Sequence, residues 1–306
     1  MTLHADEVPL SPDDVRRLIE AQAPQWAELP LSPAGHGTDN VMMRLGDELL
    51  VRLPRRPSTA EDVAKERRWL PHLAPHLPVA VPEAVFVGRP GEGYPFEWSV
   101  LRWIEGEHPG EGTVTDWARF GADLARFVRA LHRIDLAGAT AQGSLQWYRG
   151  RRLSDFRAEG QEAIDEVREL AQRVDLGLDL AALQRLWDRA AGTPSPVLDA
   201  VWLHGDLRSD NLLVRNGVLA GVIDFGCLSV GDPTAEHAAV WEYPAAAREA
   251  YRQELGLDAD TWRRATAWKI VVNLSGIPYY WDSWPEFAHG CLETVRELVT
   301  ATGAGR

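Results

Sequence analysis

The run His204-Gly205-Asp206-Leu207-Arg208-Ser209-Asp210-Asn211-Leu212-Leu213-Val214, followed by Asp224-Phe225-Gly226, constrains this chain more than any other feature. Its polar centre lies between two apolar triplets, Val201-Trp202-Leu203 and Leu212-Leu213-Val214, and a third apolar stretch leads into Asp224. Short apolar runs flanking polar loops read as strand, loop and strand. The spacing predicts that these strands bring Asp206, Asn211 and Asp224 together. A random chain of this length would carry the combined pattern about once in ten thousand.

The residue types suit one chemistry. The transition state of phosphoryl transfer carries negative charge and asks a protein mainly for positioning and electrostatic stabilisation. A loop carboxylate, Asp206, can accept or orient the proton of an attacking hydroxyl. An amide and a second carboxylate, Asn211 and Asp224, are hard oxygen donors of the kind Mg2+ takes while it clamps nucleotide phosphates.

The rest of the chain has two textures. Ser11-Pro12-Asp13-Asp14 is a helix start, and Val15, Leu18 and Ile19 give that helix an apolar stripe. Strand and turn signals dominate 31–103. They comprise a glycine-containing loop over 33–40, a hairpin turning at Gly46-Asp47, and strands within 79–87 and 97–104. A helix capped by Ser58 or Thr59 interrupts them over 58–72. Past Gly110 the pattern turns helical: Phe120, Leu124, Phe127, Leu131 and Ile134 share one helix face. Further helices are predicted near 162–174 and 180–190, then a β-rich island over 201–225 and a helical tail over 245–300. The expectation is an α+β chain with a small β-rich N-terminal lobe, 1–103, and a larger, mainly helical C-terminal lobe, 104–306. Ligands are expected in a cleft between them.

Composition narrows the partners. Thirty-two basic residues against forty-five acidic ones give a net charge of −13, which argues against a sequence-independent nucleic-acid binder. It is compatible with a cationic small-molecule acceptor. Two cysteines, Cys227 and Cys291, are too few for a disulfide scaffold. With no leader-like N-terminus and no run of about eighteen apolar residues, the expected location is the cytoplasm, without a membrane partner. The only lysines are Lys65 and Lys269.

The segment 204–226 resembles the catalytic and metal-binding loops of the protein-kinase-like superfamily. Glycine at 205, where protein kinases usually carry arginine, makes it most similar to the aminoglycoside phosphotransferases, a family of antibiotic and small-molecule kinases. The resemblance covers nearly the whole chain, through to the tail carrying Tyr279-Tyr280-Trp281-Asp282. It implies a protein-kinase-like two-lobed fold. It also implies transfer of the γ-phosphoryl group of ATP or GTP to a hydroxyl of an aminoglycoside or another sugar-containing antibiotic. On this resemblance Asp206 is the catalytic base and Asn211 and Asp224 hold Mg2+. Asp232, in Gly231-Asp232-Pro233, holds the catalytic loop, and His204 packs beneath it. Arg208 stands near where protein kinases often place a lysine beside the transferring phosphate. Gly35 and Gly37 would cradle phosphates, and Arg102, Trp103 and Ile104 would meet the nucleotide base. Trp241, Tyr280 and Asp282 fall in the region that completes the acceptor site.

One departure stands out. The lysine that kinases place on the third N-terminal strand is replaced by Arg52, with Glu66 as its expected helix partner. Arginine stays charged and can grip a carboxylate or phosphate bidentately, so phosphate binding is expected to survive. Two other readings stay open: a housekeeping kinase for an amino alcohol or sugar, and an inactive nucleotide-binding pseudokinase. Monomer and homodimer both stay open as well.

Overall fold

The computed structural model describes residues 7–35 and 39–303. It resolves into two compact units, one formed up to Thr115 together with Ser209–Leu228, the other by Asp116–Arg208 together with the chain from Ser229 onward. In chain order the first unit contributes α1 (Pro12–Gln22), β1 (Leu31–Pro33), β2 (Asn40–Leu45), β3 (Leu49–Pro54), α2 (Pro57–Leu73), β4 (Ala84–Gly88) and β5 (Trp98–Arg102). The second contributes α3 (Trp117–Arg133), α4 (Arg157–Leu170), α5 (Leu180–Ala191) and β6 (Val201–Leu203). The chain returns to the first unit for β7 (Leu212–Arg215) and β8 (Val218–Val222). It ends in the second with β9 (Ser229–Gly231), α6 (Ala245–Leu255), α7 (Ala259–Tyr280) and α8 (Pro285–Gly303). No helix among the described residues is long and apolar enough to cross a membrane.

The first unit is built on an antiparallel sheet in the order β1-β2-β3-β5-β4. Helix α1 starts as its sequence dictates: the Ser11 hydroxyl accepts from the Asp14 amide, and the Asp14 carboxylate accepts from the Ser11 amide at 2.7 Å. This reciprocal cap satisfies two amides that the helix itself leaves unpaired. The stripe Val15, Leu18 and Ile19 then buries itself among Met43, Leu53 and Trp98 of the sheet. Helix α2 starts differently from expectation. Pro57 takes its first turn and Arg56 is the cap residue, with no side-chain cap bond, so Ser58 and Thr59 lie inside the helix. Proline suits a first turn because the amide it lacks would be unpaired there in any case.

The β-rich island divides. β7 pairs with β8 as a hairpin in the first unit, whereas β6 pairs with β9 in the second, Val201 opposite Gly231 and Leu203 opposite Ser229. The expected single strand–loop–strand array is therefore two separate ladders. The second unit's core gathers α4, α5, α7 and α8 around Trp187, Trp268 and Leu274.

A buried polar cluster also lies in the second unit. His237 Nδ1 is 2.9 Å from the Tyr251 hydroxyl, and its ring centroid is 5.8 Å from that of His132 on α3. His132 Nε2 is buried with no hydrogen-bond partner. Burial pushes His132 down to about 4; burial and the neighbouring His132 push His237 down to about 3. Both values lie below that of an unfolded histidine, so the unfolded chain takes up protons first. Their contribution to stability is complete above about pH 6.5 and falls away as pH drops toward 4. Glu236, pushed up to about 7 mainly by burial, works in the opposite sense. A variant comparison isolates the histidine effect. Between pH 7 and 5, urea unfolding of His132→Leu should gain about 2 kcal/mol relative to the parent protein. An unchanged gap between the two proteins at both pH values would refute a neutral buried His132.

Candidate active site

In the second unit, β6 leads into a loop that a buried carboxylate holds from below. Glu236, 4% exposed, accepts the His204 amide at 2.6 Å and the Gly205 amide at 3.1 Å. His204 is fully buried, and its Nδ1 accepts the Asp206 amide at 3.2 Å. Gly205 has φ +81, a left-handed conformation that a side chain at this position would strain. Burial raises the Glu236 carboxyl to about 7 against the two amides and Arg149, which lower it; Asp206 adds to the rise.

Asp206 has a partner that no sequence motif marks. Arg149 Nη1 donates to the Asp206 carboxylate at 2.6 Å and to the Gly205 carbonyl at 2.5 Å, while its Nε donates to the Tyr148 hydroxyl at 2.9 Å. Backbone contact brings Arg149 there. The Asp232 amide donates to the Gly150 carbonyl at 2.8 Å, and a Cβ on Gly231 would lie 2.2 Å from that same oxygen. Glycine at 231 thus permits the approach that seats the neighbouring Arg149. Asp206, Arg149, Arg208, Glu236, Glu242 and Lys269 all line a cavity of about 430 Å³ in this unit.

In the first unit, Asn211 and Asp224 stand at the ends of the β7–β8 hairpin. The Ile223 amide donates to the Asn211 carbonyl at 2.9 Å, which brings the residue before Asp224 against Asn211. Asp224 is itself left-handed, φ +59, and its Oδ1 accepts the Gly226 amide at 3.2 Å. Arg52 on β3 and Glu66 on α2 form an ion pair of 2.7 Å, each side chain 5% exposed. Burial opposes the charge on Arg52, but Glu66 and Asp224 outweigh it and hold the guanidinium above its ordinary value. Burial likewise raises Glu66, and Arg52 works against that rise. Lys65, the next residue to Glu66, is buried too; its ammonium donates to the Gly226 carbonyl and, at 3.1 Å, to Asp62. Consecutive α2 residues therefore engage β3 and the Asp-Phe-Gly turn.

The remaining sequence candidates divide. Tyr280 and Arg208 line the cavity; the Arg208 guanidinium lies 5.1 Å from the centroid of the Phe287 ring. Trp241 and Asp282 do not line it. Trp241 packs against Trp262 at 5.3 Å between centroids, and Asp282 is exposed in the turn between α7 and α8. Asp232 caps the following turn through the Thr234 amide at 2.9 Å, so the loop-holding carboxylate is Glu236, not Asp232. Asp232 is the cap residue at the start of that turn, whereas Glu236 lies within it.

At the connector, the Arg102 and Trp103 amides donate to the Glu83 and Glu48 carbonyls, so the fold itself uses both donors. Ile104 packs over Gly221 of β8. Gly35 sits in open space with φ +88, and Gly37 lies outside the described residues. Among the described residues, no group of three or more His, Cys, Asp or Glu side chains is placed to hold a metal ion.

The chain can now be set beside known proteins. It is 25% identical over 260 residues to an aminoglycoside 3′-phosphotransferase of Escherichia coli, covering 81% of this chain and 89% of that one. Its fold matches that of aminoglycoside 2′-phosphotransferase-IIIa, solved as a GDP complex, with a TM-score of 0.76, 19% identity, and 96% and 100% of the two chains covered. It also matches a macrolide 2′-phosphotransferase from Brachybacterium faecium, with a TM-score of 0.64, 23% identity, and 95% and 98% covered. The fold is thus the kinase-like one expected. The sequence profile of the phosphotransferase enzyme family matches residues 30–268, well over half of the chain, and the protein belongs to that family.

Proposed function

We propose that this phosphotransferase moves the γ-phosphoryl group of ATP or GTP to a hydroxyl of a sugar-containing antibiotic. The observation that carries this reading is Asp206: its carboxylate, fixed by Arg149 at 2.6 Å, forms part of the wall of a cavity large enough for a sugar. The names of the relatives support both substrates, because they include aminoglycoside and macrolide phosphotransferases and complexes with GDP and ADP. A housekeeping acceptor remains the second reading within the same chemistry.

Asp206 takes the proton of the acceptor hydroxyl as its oxygen bonds to the γ-phosphorus. The bond from that phosphorus to the bridging oxygen breaks, and the nucleoside diphosphate leaves with the electron pair. Arg149 keeps the carboxylate aimed, and Arg208 supplies positive charge in the same cavity wall. Asn211 and Asp224 offer one amide and one carboxylate oxygen, a sparse set of hard donors that would suit Mg2+. These two residues would hold the ion, which would supply charge neutralisation at the nucleotide phosphates. Arg52, held straight by Glu66, grips the nucleotide phosphates in place of the usual lysine.

Mass spectrometry with magnesium, ATP or GTP, and a panel of sugar-containing antibiotics should find one phosphate added to a single compound class. Asp206→Asn should lower that rate by about a hundredfold or more. Transfer undiminished in Asp206→Asn would overturn the assignment of the base. For Arg52, the double variant Arg52→Met with Glu66→Leu removes both buried charges, so its unfolding free energy should stay near the parent value. Its nucleotide Kd, measured by calorimetry, should still rise about tenfold, the loss of one charged phosphate contact. An unchanged Kd would show that Arg52 serves the fold alone.

A further inference from the structure

The acidic balance of the chain suggests a cationic acceptor, but the acceptor cavity does not share that balance. Its wall holds three cations, Arg149, Arg208 and Lys269, and three carboxylates, Asp206, Glu236 and Glu242. Each carboxylate is already engaged. Asp206 pairs with Arg149 at 2.6 Å, Glu242 with Lys269 at 3.0 Å, and Glu236 with two backbone amides. A ligand bearing several ammonium groups needs carboxylates not already committed to protein donors, or it sheds water without compensation. The acids beside this wall in the chain, Asp282 and Glu286, do not line the cavity.

Apart from Asn273 and Ser275, the rest of the wall is apolar and aromatic. Tyr148, Val272, Tyr280 and Phe287 contribute to it, and so does Tyr279, which lines the cavity while remaining 69% exposed. Tyr280, Trp284 and Phe287 form a continuous edge-to-face and stacked cluster, with centroids 5.0–5.8 Å apart. Broad exposed aromatic surface of this kind binds flat or aliphatic ring faces by burying area rather than by pairing charge.

We infer that the acceptor is a hydroxylated amphiphile, uncharged or carrying a single amine, that lays an apolar ring face on the Tyr148–Tyr280–Phe287 wall. This rests on the phosphotransfer reading above and narrows its acceptor. A sugar hydroxyl reaches Asp206 while the apolar face covers the aromatic wall; the engaged carboxylates give multiply charged competitors no purchase.

The test compares three probes under one set of conditions with Mg-ATP and Mg-GTP: a macrolide with one dimethylamino sugar, a neutral alkyl glucoside, and kanamycin. Phosphate transfer, acceptor-independent nucleotide hydrolysis and acceptor binding by calorimetry are all measured, with Asp206→Asn as the control. The expected result is kcat/KM at least a hundredfold higher for the macrolide or the glucoside than for kanamycin. Ser275→Asp places a new carboxylate on the exposed side of the wall and should improve the kanamycin KM about two- to fivefold, the strength of one exposed ion pair. Kanamycin used as well as the amphiphiles overturns the inference and leaves the kinase standing. So does failure of both amphiphiles to bind while Asp206-dependent nucleotide hydrolysis persists. Loss of nucleotide hydrolysis and transfer alike would remove the phosphotransfer reading, and the inference with it.

Discussion

A single buried carboxylate sets the geometry of the loop that carries Asp206. Glu236 takes the amides of His204 and Gly205, the two residues that precede Asp206, and it does so from a site where a charge is costly. Two amide donors are what make that burial tolerable, and they can be supplied only if the loop bends as it does. The bend in turn requires the left-handed Gly205 and leaves the Asp206 amide against His204. Arg149 then closes the arrangement from the other side, touching both the Gly205 carbonyl and the Asp206 carboxylate. Loop shape, carboxylate direction and buried charge are therefore one interdependent set.

The first unit has its own version of the same economy. Glu66 and Arg52 are both nearly inaccessible, and each is the other's compensation for lost hydration. Because Lys65 and Glu66 are neighbours on α2, the helix engages β3 and the Asp-Phe-Gly turn at one place. A rotation of α2 about its axis would break both contacts together. Orientation of Arg52 and the conformation of the turn that carries Asp224 are thus mechanically linked.

Much of this was legible in the sequence because it depends on local rules. The cap of α1, its apolar stripe, the long face of α3 and the strand pattern of the first unit all follow from spacing and residue type. The Arg52–Glu66 pair was also readable, since both residues stand at the positions that the resemblance marks. Arg149 was not: it lies in Trp147-Tyr148-Arg149-Gly150, with no periodicity and no motif, and reaches Asp206 only through the approach of Gly150 to Gly231. Likewise nothing local distinguishes Asp232 from Glu236 as the acid beneath the loop; the difference is which way the turn after Pro233 points each side chain. The split of 201–225 into two ladders escaped for the same reason, because strand pairing is a long-range choice.

The two lysines have a practical consequence. Each side chain is only 6% accessible and each is tied to a carboxylate, Lys65 to Asp62 and Lys269 to Glu242. Apart from nine histidines, every other basic side chain is an arginine. The surface of this protein therefore offers amine-directed chemistry almost nothing to react with among the described residues. Succinimidyl dyes, aldehyde fixation and lysine-spanning cross-linkers would report on the opening of the two ion pairs rather than on exposed surface, which makes slow amine labelling a built-in clock for local unfolding at both sites.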